Sequence, residues 1–266
     1  MTPDFQEQAD FLDHNLRLRT RPVAASFLRD RQLPEKTRQP STALGKRITI
    51  CMGVTMARVY GWRVGLTKDD LICVPAMIMF GFSDAQDQPA ALAELFGAIQ
   101  FAADAATARQ ETGCMSRLPN GAYQALLLQP LAMATAPPDA VLIYGNPAQV
   151  MRLAQAYTYL TGTRVPGNFG GKVECAEYLL APMQTGQPRV AIPGMGDRIF
   201  SMTQDDEMVF ALPGRALEPL VEGLRQAGKK IGARYPITFY QNFSPEFPGP
   251  YQERAKKWGI IDGDSG

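Results

Sequence analysis

The apolar positions of the chain follow two spacings, one typical of helices and one typical of strands. In residues 4–18 they suit an amphipathic helix, whereas residues 23–28 form a short apolar run that predicts a buried strand. Further strands are predicted at 62–66, 123–131, 140–144, 189–192 and 208–212. Further helices are predicted at 43–60, 67–80, 89–112, 146–162 and 216–228, with another around Cys175. The pattern predicts an α+β fold in which helices flank a mixed sheet.

Two longer segments are predicted to contain neither helix nor strand. The proline-containing run 29–42 predicts a loop, and the tail 235–266, rich in proline and aromatic residues, predicts coil. With 266 residues, of which 45% are apolar and 20% charged, the chain has the size and composition of an ordinary globular protein. We therefore expect a single domain covering residues 1–266.

The two halves of the chain show a weak internal similarity. Cys73 follows a predicted helix end by twelve residues, and Cys175 follows another by thirteen. One interpretation is a pair of repeated β-α-β-α modules at 22–82 and 138–183, in which the two cysteines occupy matching positions. The other interpretation is chance, because no sustained identity links the two halves.

Charge and hydropathy exclude several classes of partner. The 27 basic and 26 acidic residues nearly cancel, so no global field favours a nucleic acid. The N-terminal residues lack the apolar region of a secretory signal, and no segment approaches the roughly 20 apolar residues that cross a bilayer. We therefore expect a cytoplasmic protein with neither a nucleic-acid nor a membrane partner.

Four cysteines are the main candidates for chemistry: Cys51, Cys73, Cys114 and Cys175. They are too sparse for a disulfide scaffold, and a cytoplasmic setting would keep them reduced. Four thiolates match the ligand count of a four-iron cluster or a closed zinc site, although nothing resembles a zinc finger. Because gaps of 22, 41 and 61 residues separate them, only tertiary structure could assemble such a site. The alternative is that they are small buried apolar residues.

The single histidine, His14, removes most familiar catalytic designs. No serine or cysteine nucleophile can be paired with a histidine in a triad elsewhere in the chain, and no metal site with several histidines can form. His14 itself lies in an amphipathic helix with the character of a surface position. An enzyme that relies on carboxylates, arginine and tyrosine is permitted but not indicated, so enzymatic activity is left open.

Two strand-to-helix loops are candidate cofactor sites. Asn146 follows a predicted strand and begins a helix, where free N–H groups favour an anion or polar ligand. Gly196 and Arg198 lie in a glycine-containing loop after another strand. The alternatives are structural: Asn146 caps its helix, and Arg198 makes ordinary turn and surface contacts.

The stretches 139–153 and 191–198, together with 206–208, resemble the uncharacterised ArCR family, known as domain of unknown function 169. The resemblance spans about residues 22–224 and is most specific at Tyr-Gly-Asn-Pro-Ala-Gln. It implies a fold and a shared site but no activity. It also implies that Cys51, Cys73 and Cys175 lie in the family's cysteine-bearing segments, with weaker support for Cys114, and that Gly194 replaces a frequent family cysteine.

Two functional hypotheses follow. The first is a redox or cofactor-binding protein that holds an iron–sulfur cluster through three or four cysteines and works with a small molecule or a redox partner protein, with homo-oligomerisation left open. The second is a metal-free small-molecule-binding or accessory protein whose glycine-rich strand-to-helix loops form the pocket.

Overall fold

The computed structural model describes residues 4–237 and 247–261, and its centre is one six-stranded sheet. The strands are β1 (Val23–Leu28), β2 (Val64–Leu66), β3 (Ala125–Pro130), β4 (Ala140–Gly145), β5 (Arg189–Ala191) and β6 (Met208–Pro213). Their order is β2-β3-β1-β4-β6-β5, and each neighbouring pair is antiparallel. The α+β class is confirmed. The expected mixed sheet is replaced by antiparallel ladders, and the described parallel pairs are three isolated bridges.

Helices cover both faces of this sheet. Those of the described residues are α1 (Phe5–Leu16), α2 (Pro40–Ala43), α3 (Ile50–Arg58), α4 (Val74–Met79), α5 (Gln88–Ala98), α6 (Ala105–Gly113), α7 (Pro147–Thr161), α8 (Glu174–Thr185), α9 (Met195–Phe200), α10 (Leu217–Gln226) and α11 (Gly249–Lys257). Helices α3, α4, α5, α6 and α8 share one apolar core with the sheet, and we call them the front layer. Helices α1, α7 and α10 share the other core and form the back layer.

The central strand β4 joins the two cores. Leu142 and Tyr144 belong to the front core, while Val141 and Ile143 belong to the back core. This division follows from the period of two along a strand, which points successive side chains to opposite faces. All six residues of β4 are buried, so it reads as a continuous apolar run rather than an alternating one.

Helix boundaries in the front layer differ from the predicted ones. The predicted helix 43–60 is shortened to α3, which begins only after Thr49, whose side chain accepts a hydrogen bond from the N–H of Met52. Cys51 therefore lies in the first turn of α3 and not in mid-helix. The predicted helix 89–112 is divided, since Asp104 caps a separate helix α6 by accepting from the N–H of Thr107.

Three helices form where none was expected. Helix α2 begins at Pro40, inside the run 29–42 that was predicted as a loop. Helix α9 occupies the glycine-containing loop after β5, and α11 lies in the tail predicted as coil. Residues 238–246 and 262–266 of that tail lie outside the described part. Within the described part, no helix has both the length and the apolar character needed to cross a membrane.

The sheet consists of two halves with the same strand order. Exchanging β1, β2 and β3 for β4, β5 and β6, respectively, gives the same order read from the opposite edge of the sheet. Under this exchange α3 corresponds to α8, so that Cys51 corresponds to Cys175, each the second residue of its helix. Helix α4 corresponds to α9, so that Cys73 corresponds to Gly194, each an N-cap. The sequence comparison instead matched Cys73 with Cys175, and the internal repeat stays a prediction.

Candidate functional site

Three of the four cysteines lie together in the front layer, and we call Cys51, Cys73 and Cys175 the thiol cluster. Cys51 Sγ lies 2.9 Å from the hydroxyl oxygen of Thr49 and donates to the carbonyl oxygen of Gly196 at 3.7 Å. Cys175 is buried in the front core, and the partly buried Cys73 packs against that core. Cys114 is an exposed residue at the end of α6 and does not belong to the cluster.

Burial governs the protonation of these thiols. It raises the pKa of Cys51 to about 12, and the negative charges of Asp197 and of an ionised Cys73 act in the same direction. Burial also raises the pKa of Cys73, and it raises the pKa of Cys175 well above its ordinary value, with Cys73, Asp197 and Cys51 adding to that shift. Without a bound cation, the three side chains are therefore neutral thiols at physiological pH.

Two buried carboxyl groups adjoin the thiol cluster. Glu174 Oε1 accepts hydrogen bonds from the N–H groups of Gly170 and Gly171 at 2.7 and 2.6 Å, whereas its buried Oε2 has no partner among the described residues. Burial raises the pKa of Glu174 to about 7. Asp197 accepts from the hydroxyl of Tyr178 at 2.7 Å, and burial raises its pKa as well. The thiols and carboxyl groups together form a region that is neutral when protonated and that can lose protons to solvent when a cation binds.

A buried ion pair borders the same region. Arg58, at the end of α3, donates to Glu207 at 2.9 Å, and its guanidinium lies 4.1 Å from the ring centre of Tyr144. The two charged side chains are 1% and 4% exposed. Sequence reasoning did not identify this pair. A single arginine inside the apolar run of α3 is the one signal that could have indicated it.

The three residues predicted to bind a cofactor lie in different surroundings. Asn146 caps α7 in a reciprocal capping box with Gln149, and its side-chain amide donates to the hydroxyl of Tyr235 at 2.9 Å. Gly196 accepts the hydrogen bond from Cys51, so it adjoins the thiol cluster. Arg198 donates to the carbonyl oxygen of Gln204 at 2.7 Å. No described contact joins the three residues.

The backbone N–H groups of the glycine-rich loops already donate hydrogen bonds to side chains of the same protein. The N–H groups of Gly170 and Gly171 donate to Glu174, and the N–H of Gly194 donates to Asp197 at 3.2 Å. In the Asn146 loop, the capping box likewise provides acceptors for backbone N–H groups, because the side chains of Asn146 and Gln149 each accept from the backbone N–H of the other residue. An anionic ligand would therefore have to displace acceptors that the chain itself supplies.

The thiol cluster is not a preformed coordination sphere. Among residues 4–237 and 247–261, no three side chains of histidine, cysteine, aspartate or glutamate are arranged as metal ligands. The donor types suit a soft metal, since the site holds three thiols and no imidazole. Metal binding at this cluster would require deprotonation of the thiols and a rearrangement of the side chains.

The family model of the uncharacterised ArCR proteins, domain of unknown function 169, matches residues 12–223. The chain belongs to the ArCR family. One relative, a protein of Methanocaldococcus jannaschii that is itself described as uncharacterised, is 25% identical over 175 residues, which are 65% of this chain and 75% of that protein. No solved structure matches the chain. The resemblance predicted from the sequence is confirmed, and it brings no activity with it.

The burial of each thiol in this ArCR protein predicts how fast it reacts with a thiol reagent. In metal-free protein, Cys114 is expected to react with a chromogenic thiol reagent at once, and Cys73 more slowly. Cys51 and Cys175, 8% and 7% exposed, should react slower than Cys114 by roughly a hundredfold or more, because they require local unfolding. Stopped-flow absorbance measures these phases. A fast phase that survives Cys114→Ser would contradict the assignment.

Proposed function

We propose that this ArCR protein binds an iron–sulfur cluster through Cys51, Cys73 and Cys175. One observation carries the proposal: gaps of 22 and 102 residues separate these cysteines along the chain, yet their side chains lie together, while Cys114 lies apart. Thiolates are the usual ligands of such clusters. We further propose that the protein works in the cytoplasm, where thiols stay reduced, with a small molecule or a redox partner protein. Homo-oligomerisation stays a prediction.

The charges around the thiol cluster support a cationic ligand. Deprotonation of three thiols next to Asp197 would create a strongly negative buried region, and an iron centre would offset that charge. Because the thiols are neutral in the absence of a cation, binding is expected to release protons and to become tighter as the pH rises. When bound, an iron–sulfur cluster supplies electron transfer or Lewis acidity.

Three cysteines would leave one iron of a four-iron cluster without a cysteine ligand. The position that corresponds to Cys73 in the other half of the sheet is Gly194. A Cβ atom there would lie 2.9 Å from the carbonyl oxygen of Gly171, too close for an unstrained contact. We therefore propose that the fourth ligand comes from a small molecule or a partner rather than from a side chain at position 194.

The test is iron and sulfide analysis after anaerobic purification and reconstitution, together with the visible absorption spectrum. We expect bound iron and sulfide and a brown chromophore in the wild type. Cys51→Ser, Cys73→Ser and Cys175→Ser should each lose most of the iron, because each removes one of three ligands. Far-ultraviolet circular dichroism checks that the variants remain folded.

Cys114→Ser is the matched control, since it makes the same substitution outside the thiol cluster. It should keep the iron, the sulfide and the spectrum of the wild type. A reconstituted wild type that is colourless and iron-free would contradict the proposal. Stoichiometric zinc without sulfide would contradict the cluster, as would an equal loss of iron in the Cys114→Ser variant.

A further inference from the structure

A large basic cleft lies on the other side of the sheet from the thiol cluster. Helices α1 and α7, the end of α10 and the chain that follows α10 line an open cleft with a volume of about 1470 Å³. This exceeds the roughly 300–1,000 Å³ of typical small-molecule sites, so a nucleotide-sized ligand would fit. Five permanently charged basic residues line this basic cleft: Arg17, Arg152, Arg225, Lys229 and Arg234. Among the described residues of the lining, Asp13 is the acidic one.

Arg152 is the most informative of the five. It is only 4% exposed, yet its guanidinium donates to two uncharged acceptors, Gln155 Oε1 at 2.6 Å and the carbonyl oxygen of Ala227 at 3.1 Å. No carboxylate of the described residues forms an ion pair with it. A buried cation without a counter-charge is costly, and an anion in the cleft would reduce that cost.

Few acidic side chains neutralise the other four basic residues of the cleft. Arg17, Lys229 and Arg234 are exposed and form no ion pair within the described residues. Arg225 lies 4.1 Å from the ring centre of Phe11, and its ion-pair distances to Glu7 and Glu222 are long, 3.8 and 4.0 Å. The cleft therefore carries a concentrated positive charge in a chain whose net charge is only +1.

We propose that the basic cleft binds a small molecule that carries a di- or triphosphate group, such as a nucleotide. The planar guanidinium of arginine can donate two parallel hydrogen bonds to phosphate oxygens. Several basic side chains in one cleft also match the several negative charges of one di- or triphosphate group. The positive charge lines a bounded cleft instead of a long stripe, which favours a small molecule over a nucleic acid. Tyr235, fixed by its hydrogen bond from Asn146, offers an aromatic ring in the same lining.

Isothermal titration calorimetry of the full chain with ATP and with inorganic tripolyphosphate, both without magnesium, tests the proposal. We expect saturable binding at about 0.1 M salt that weakens as the salt concentration rises. The double variant Arg17→Gln/Arg234→Gln should bind at least about tenfold more weakly, because it removes two positive charges from exposed positions in the lining of the cleft. Arg152→Lys, which keeps the charge but removes the fork, should also weaken binding.

Lys46→Gln is the control, since it removes one exposed positive charge outside the lining of the cleft. It should bind both probes as the wild type does. Unchanged affinity in the Arg17→Gln/Arg234→Gln variant would overturn the proposal. So would binding to vesicles of phosphatidylglycerol without binding to either soluble probe, because the surface would then recognise lipid. Loss of the iron site does not affect this test, since the two sites lie on opposite sides of the sheet.

Discussion

Replacing Glu207 by glutamine is expected to destabilise the protein by about 3 kcal/mol. The change keeps the size of the side chain but removes the counter-charge of Arg58, whose guanidinium is 1% exposed. A buried cation without its partner cannot recover its hydration, so the native state is penalised. Urea unfolding followed by circular dichroism measures the difference in the free energy of unfolding.

The neighbouring residue provides a matched control. Asp206 also pairs with an arginine, Arg19, at 2.7 Å, but both side chains are about half exposed. Asp206→Asn should therefore change stability very little, because water screens the pair. Replacing both buried partners, as in Arg58→Met/Glu207→Leu, should recover much of the loss. Equal effects of the Glu207→Gln and Asp206→Asn changes would contradict the importance of burial.

Gly223→Ala is expected to lower the free energy of unfolding by about 2 to 3 kcal/mol. Gly223 is buried in α10 where this helix crosses α7, and a Cβ atom there would overlap the carbonyl oxygen of Ala156 and lie 2.9 Å from its carbonyl carbon. Both are backbone atoms of a packed helix, so the helices must separate. Thermal or urea unfolding measures the loss, and a neutral result would show that the two helices can move apart freely.

Gly97→Ala makes the same substitution in a helix without this contact. Gly97 is exposed in α5, and a Cβ atom there would lie within 4 Å of no described atom beyond its chain neighbours and the adjacent backbone of its own helix. Because alanine has the higher helix propensity, this variant should be more stable by about 0.5 to 1 kcal/mol. Opposite signs for the two substitutions would separate the packing effect from the propensity effect, whereas destabilisation of both would contradict this explanation.

Much of the secondary structure could be predicted because its signals are local. The apolar run 23–28 coincides with β1, and the start signals around Asn146 place α7 correctly, since its cap and Pro147 act within one turn. The predicted helix 89–112 was too long because alanine-rich composition indicated helix throughout, while Asp104 begins a second helix. Strand pairing could not be predicted, since periodicity places a side chain on a face but does not choose its neighbouring strand.

The candidate site was only partly predictable for the same physical reason. Sequence reasoning identified Cys51, Cys73 and Cys175 as candidates but had no means of bringing them together, because large gaps separate them. It did not identify Glu174 or the Arg58–Glu207 pair. Their significance depends on burial and on an unpaired or paired charge, which are properties of the folded chain.

By itself, the sequence determined the α+β class, the ArCR family and the short list of thiols, because composition, local periodicity and motif residues are all written along one dimension. The tertiary structure alone decided that β1 pairs with β4 and that Cys114 lies apart from the other three cysteines. It also decided that the basic residues of the back layer, spread from Arg17 to Arg234, line one cleft. Such groupings depend on contacts between residues distant along the chain, and only folding establishes them.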